Sequence, residues 1–248
     1  MRKQRGRLRA ILSLCALPLL AFTLPHENPA VMADAAPIDV PAAEKYIALT
    51  FDDGPWPETT ERLLDGLAER GAKATFFLIG EQISPMAETV KRMQAEGHQV
   101  GNHTYTHADL SRGTLAERLE EITQTDALLK ELLGESVYWL RPPWGFLNQE
   151  MAEQIETPMV YWTIDTEDWQ RLDAEEVTQE IVEQAKDGDI ILLHDPYASS
   201  VDAALRAIDL LTPQGYRFVT LEKLFERKGI APEQGKLYIR PDRIKEIV

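Results

Sequence analysis

From Tyr46 onward, short β-rich runs alternate with amphipathic segments of helical length, and this alternation limits the fold before any single residue is considered. Strands are expected near 46–52, 74–79, 99–104, 136–141, 159–165, 189–194 and 216–220, with helices near 58–70, 84–96, 114–133, 174–186 and 199–211. Gly71, Gly97, Gly134 and Gly215 stand just after helices, and Asp173 with Ser111 or Thr114 are candidate N-caps. A βαβα order implies a parallel sheet. Seven such strands suit either a doubly wound open sheet or a compact, incomplete barrel, and periodicity leaves both open.

The 248 residues, 44% hydrophobic and 27% charged, suffice for one sizeable core, so one domain is expected over 46–228. Ahead of it, Arg2, Lys3, Arg5, Arg7 and Arg9 precede an apolar run at 10–24 interrupted by Pro18, which reads as a secretory leader over 1–35. Ala33 and Ala35 flank a candidate cleavage site; an uncleaved N-terminal anchor is the alternative. Residues 36–45 read as a linker and 229–248 as a tail that folds back or stays free. The location expected is outside the cytoplasmic membrane, secreted or at the cell surface, with any membrane contact made through the N-terminal segment alone.

The chain carries a net charge of −15, and residues 1–35 hold five bases against two acids, so the remainder is more acidic still. Nucleic acid and anionic membrane surfaces are therefore not expected partners. Cys15 is the only cysteine and lies in the leader, which leaves the domain without disulfide, thiolate metal site or cysteine nucleophile. A monomer is expected.

In α/β folds, active groups collect at the C-terminal ends of strands. Here five expected strands run into unusual residues: Asp52 and Asp53; His103 and His107; the sequence RPPWG at 141–145; DTEDW at 165–169; and LLHD, with His194. One acid or histidine in such a place is explained by helix capping. Five at one rim indicate a functional site.

His103 and His107, four apart, join a carboxylate to make a two-histidine, one-carboxylate set with coordination positions left open, as in a catalytic divalent site. Zinc is the first expectation; iron(II), as in oxygenases, takes the same trio. Two adjacent carboxylates are costly to keep charged without a cation. Dividing the labour resolves this: one binds the metal, and the other accepts a proton from water activated beside the ion. Gly54 and Pro55 are expected to supply the turn that brings both acids to the rim. His194 is a candidate general acid with Asp165 as its carboxylate partner, Arg141 a candidate partner of the base, and the backbone of the PPWG turn, Pro143 and Trp144 included, a candidate oxyanion donor. Trp144, Trp169 and Tyr105 are candidates for a sugar-stacking floor, whereas Trp139 and Trp162 read as core.

The set TFDDGP (50–55), HTYTH (103–107), RPPWG (141–145), DTEDW (165–169) and LLH (192–194) resembles the polysaccharide deacetylases of carbohydrate esterase family four, the NodB homology domain. The resemblance spans about 46–225. It implies a distorted, incomplete (β/α) barrel of about seven strands and metal-dependent removal of acetyl groups from N-acetylated sugars in a polymer. It further implies Asp52 as base, Asp53, His103 and His107 as ligands of a divalent metal (zinc, with cobalt, nickel or iron as alternatives), Arg141 as the residue orienting the base, His194 as acid and Asp165 as its tuning partner. Trp144 departs from the family's frequent tyrosine, a change that a backbone donor tolerates. Peptidoglycan is the expected polymer, with chitooligosaccharide and O-acetyl xylan as alternatives. Outside this class stand a non-catalytic carbohydrate-binding member of the fold and a non-haem iron oxygenase, the latter disfavoured by the βα alternation.

Overall fold

The computed structural model describes residues 44–134 and 137–247. The expected leader, residues 36–43 of the linker, residue 136 at the start of one expected strand and the last residue of the expected tail lie outside these.

Strands β1 (Lys45–Gly54), β2 (Ala74–Leu78), β3 (Gln99–Asn102), β4 (Met159–Val160), β5 (Ile164–Asp165), β6 (Ile190–His194), β7 (Tyr216–Phe218), β8 (Leu237–Arg240) and β9 (Arg243–Ile244) form the sheets. Between them lie helices α1 (Thr59–Glu69), α2 (Gly80–Ile83), α3 (Ala87–Ala95), α4 (Leu115–Leu133), α5 (Gln149–Ala152), α6 (Asp168–Arg171), α7 (Ala174–Gln184), α8 (Ala198–Leu211) and α9 (Leu221–Arg227). The main sheet runs β3-β2-β1-β6-β5, with β7 paired to the first residues of β1, and every one of these pairs is parallel. Single bridges from Asn102 to Leu140 and from Leu140 to Met159 carry the sheet on to β4, β8 and β9. The result is the distorted, incomplete barrel.

β1 is the axis of the molecule. Its apolar residues Ile47, Leu49 and Phe51 are fully buried, because elements pack on both faces of a central parallel strand. Leu63, Leu64 and Leu67 of α1 and Val201, Ala204 and Ile208 of α8 share its core. Thr114, not Ser111, caps α4: its hydroxyl accepts from the Glu117 N–H while the Glu117 carboxylate accepts from the Thr114 N–H, a reciprocal capping box. Asp173 caps α7 as expected.

Three expected elements take a different form, each for a local reason. Over its described part, 137–141, the strand expected near 136–141 is reduced to a bridge at Leu140, since Pro142 and Pro143 lack the N–H groups that a longer ladder needs. The strand near 159–165 splits into β4 and β5 because the chain changes neighbours: the Tyr161 N–H donates to Tyr238 and the Thr163 N–H to Ile190. The helix near 84–96 starts late, at Ala87, after a 3-10 turn that accommodates Pro85. In the C-terminal stretch, β8 pairs parallel with β4 and antiparallel with β9, the one antiparallel pair among the described residues.

Candidate active site

The two acids reach the same rim through a break in β1. Its register with β2 shifts between Phe51 and Gly54, and Asp53 takes a left-handed conformation with φ of 67°. An unbroken strand would point Asp52 and Asp53 to opposite faces. The turn expected at Gly54 and Pro55 begins one residue earlier, at left-handed Asp53. Gly54 serves another need, for a Cβ there would lie 2.3 Å from Oδ2 of Asp195. Asp195, the buried acid that closes the LLHD stretch, accepts from the Thr60 hydroxyl and donates its own N–H to the Asp52 carbonyl. Burial chiefly raises its pKa, to about 7. Thr60 also accepts from the Trp56 N–H, so the turn after the acids is clamped from beneath.

The HTYTH segment is a loop following β3, held by side chains. The Asn102 side-chain Oδ1 accepts from the Thr104 N–H, and the Glu121 carboxylate from the N–H groups of Tyr105 and Thr106. Thr104 and His107 are both left-handed, which turns the two imidazoles towards each other at a centroid separation of 5.0 Å. Nδ1 of His103 lies 2.7 Å from the Arg141 carbonyl, an acceptor only, so the proton resides on Nδ1 and the Nε2 lone pair is free. That Nε2 is 3.5 Å from Oδ1 of Asp53, and Nε2 of His107 is 3.3 Å from the same oxygen.

Burial pushes both imidazoles down in pKa and the Asp53 carboxyl up. Asp53 Oδ1 is buried and has no hydrogen-bond donor among the described residues. An orphaned carboxylate oxygen between two neutral imidazoles, all three ligand atoms within 4.8 Å of one another, fits a divalent cation. The donor types suit zinc, cobalt, nickel and iron(II) alike.

Asp52 has different company. Nη1 of the fully buried Arg141 donates to its Oδ1 at 2.8 Å and to the Thr50 hydroxyl at 2.8 Å, while Nη2 donates to the Tyr161 carbonyl. The guanidinium also lies over the Phe77 ring, 4.3 Å from its centroid. Burial raises the Asp52 pKa, but Arg141, with His103 and His194, outweighs it and holds the carboxyl below the usual carboxylate range.

His194, paired in register with Asp52 at the end of β6, brings a third environment. Its Nδ1 lies 2.7 Å from Oδ1 of Asp168, whose Oδ2 accepts from the His194 N–H and the Ser200 hydroxyl. Burial opposes the imidazolium, yet the hydrogen bond and charge of the fully buried Asp168 prevail and push His194 up to about 9. The expected partner, Asp165, is therefore corrected. It is exposed at the cleft margin and accepts from the Glu167 N–H, because left-handed Glu167 turns the chain so that Asp168 is the acid that enters the interior.

A cleft of about 330 Å³ joins these groups, lined by both acids, all three histidines, Asp165, Trp144, Trp162, Trp169 and Tyr197. Trp144 stands edge-on to the His107 ring at 4.2 Å, and Trp169 is half exposed. Trp139 is core, as expected, and Trp162 packs partly buried against the core while also lining the cleft. Tyr105 is another correction: its ring packs where a Gly80 side chain would be, away from the cleft lining. Pro143 is buried beneath the left-handed Trp144 and is likewise absent from the lining. Tyr197 and Asp168 went unnoticed in the sequence, although Asp168 belongs to the DTEDW motif already singled out.

A trio fit to hold a cation, with a depressed carboxylate on one side and a histidine of raised pKa on the other, has the make-up of a metal-assisted acid–base site at the rim of an α/β barrel. Known proteins narrow it further. Residues 39–162 match the model of the polysaccharide deacetylase family, and the chain belongs to that family. It is 40% identical over 185 residues to the peptidoglycan-N-acetylmuramic acid deacetylase PdaC of Bacillus subtilis, covering 75% of this chain and 40% of that protein. It is 38% identical over 192 residues to the peptidoglycan-N-acetylglucosamine deacetylase PgdA of Listeria monocytogenes, covering 77% and 41%. The chain thus spans about two fifths of the length of these relatives. Among solved structures, a family 4 acetyl xylan esterase from Clostridium thermocellum in complex with a cobalt ion superposes with a TM-score of 0.75 at 30% identity, covering 80% of this chain and all of that one.

Proposed function

We propose that this protein is a hydrolase that removes N-acetyl groups from N-acetylhexosamine residues of a cell-wall polysaccharide, with peptidoglycan as the polymer. The observation carrying the proposal is the orphaned Asp53 oxygen between two neutral histidines, with the Asp52–Arg141 and Asp168–His194 pairs beside it. A divalent ion held by Asp53, His103 and His107, with zinc the first choice, supplies Lewis acidity that favours water ionisation and polarises the acetamide carbonyl.

The protein groups do the rest. Asp52, kept ionised by Arg141, accepts the proton of the attacking water. The backbone at Trp144 is assigned as hydrogen-bond donor to the developing oxyanion. His194, kept protonated by Asp168, donates to the departing amine, so that acetate and an amino sugar leave. Trp144, Trp162, Trp169 and Tyr197 supply apolar faces for the sugar ring and limit water in the cleft.

Support for peptidoglycan comes from what the two curated relatives are named for, and support for action outside the cytoplasmic membrane from the basic and apolar pattern at the N-terminus. The structural likeness to an acetyl xylan esterase favours a second reading, removal of O-acetyl groups from xylan. Mass spectrometry of muropeptides, N-acetylglucosamine oligomers and acetylated xylan, each treated with the metal-loaded protein, decides between them. Loss of one acetyl mass from the glycan of muropeptides is the expected result. Loss from xylan alone establishes the second reading, and no loss from any of the three overturns both.

A further inference from the structure

Beside the cleft, and separate from it, lies an open groove of about 610 Å³ between the turn that follows the two acids and α2 with the 3-10 turn after it. We propose that this groove is a second saccharide subsite, which holds another hexosamine unit of the same polymer through stacking on Trp56. It rests on the polysaccharide reading given above.

Four observations lead there. The indole of Trp56 is 44% exposed although its backbone is fixed twice by Thr60, whose hydroxyl accepts from the Trp56 N–H and whose own N–H donates to the Trp56 carbonyl. A rigid, exposed aromatic is a platform whose ordering cost is met before any ligand arrives. Pro55 and Pro85 extend its apolar surface. The polar lining, Glu58, Glu81 and Gln82, offers acceptors, and neither carboxylate meets a cation among the described residues.

A flat apolar wall facing hydrogen-bond acceptors matches a pyranose, which presents one C–H face and a rim of O–H and N–H donors. The acids, with no basic side chain in the lining, select against phosphates, uronates and nucleic acid and favour neutral or amino sugars. Placement supplies the last link. Trp56 is three residues from Asp53, a span of at most about 11 Å, and the N–H groups of Gly80 and Glu81 bond to the carbonyls of Thr104 and Tyr105 in the loop carrying His103 and His107. The groove is therefore bracketed by the two loops that hold the cation ligands. A chain with one unit in the cleft lays a unit beyond its immediate neighbour on Trp56, so the contact needs more than two units.

Calorimetric titration with N-acetylglucosamine dimer and hexamer tests this. Trp56→Ala is expected to weaken hexamer binding about tenfold or more while dimer binding changes less than twofold, with Trp56→Phe restoring most of the loss. Glu81→Lys, on the exposed opposite wall, is expected to weaken the hexamer similarly and serves if Trp56→Ala does not fold. Hexamer affinity unchanged in a folded variant, or dimer and hexamer weakened equally, overturns the subsite. Acetate release by the unaltered protein is read in parallel: its absence with the length-dependent binding intact overturns the deacetylase reading and leaves the subsite standing.

Discussion

The two flanks of the cleft use the same residue type to opposite ends. On one flank, burial holds His103 and His107 neutral, and His103 spends its Nδ1 proton on a carbonyl, so both present lone pairs. On the other, His194 is also largely buried, yet Asp168 drives it to about 9 and keeps it a proton donor. Desolvation acts alike on all three rings. Between His103 and His194 the difference lies in the partner of Nδ1: a neutral carbonyl gives a ligand, and a carboxylate gives an acid.

Breaking the first flank is expected to have the largest effect. Chelation of the divalent ion should abolish acetate release, and adding back zinc or cobalt should restore it; activity that persists in metal-free protein would show that the trio does not serve as a cation site in turnover. Converting the second flank is next. Asp168→Asn should reduce turnover by about 10²- to 10⁴-fold and move the alkaline limb of the pH profile from near 9 to below about 6.5. The sign follows from His194. Its folded pKa lies above the unfolded value, so the pair's stabilisation is complete below about pH 6.5 and is lost as pH rises through about 9. Asp165→Asn sharpens the contrast, with stability within about 0.5 kcal/mol and an unmoved alkaline limb.

Between the flanks sits the Asp52–Arg141 pair, and Arg141→Met should cost about 3–5 kcal/mol in urea unfolding near neutral pH, because a buried carboxylate loses its counter-charge. Asp52 is then governed by burial and its pKa rises, so the deficit should narrow as pH falls towards about 4. A deficit independent of pH would locate Arg141's contribution in packing on Phe77 instead.

Much of this was legible in the sequence. The βα alternation gave the parallel sheet, and strand ends marked the rim where Asp52, Asp53, His103, His107, Arg141 and His194 converge. What escaped depends on single backbone torsions or on distant chain. Left-handed Asp53 and Glu167 decide where neighbouring acids point, and nothing in DDGP or DTEDW states that an ordinary acid or glutamate adopts that conformation. Loop geometry packs Tyr105 against Gly80, while the chain's exchange of β8 for β6 brings Trp162, still packed on the core, to the cleft as well. The Asp195–Thr60–Trp56 clamp joins residues 135 positions apart and has no local signature.

The central claim, that one acid of the pair holds a cation and the other a proton, is tested most directly by measuring bound metal and acetate release together in Asp52→Asn and Asp53→Asn. Asp52→Asn should retain a stoichiometric ion and lose turnover; Asp53→Asn should lose both. An ion retained by Asp53→Asn but lost from Asp52→Asn would contradict the account.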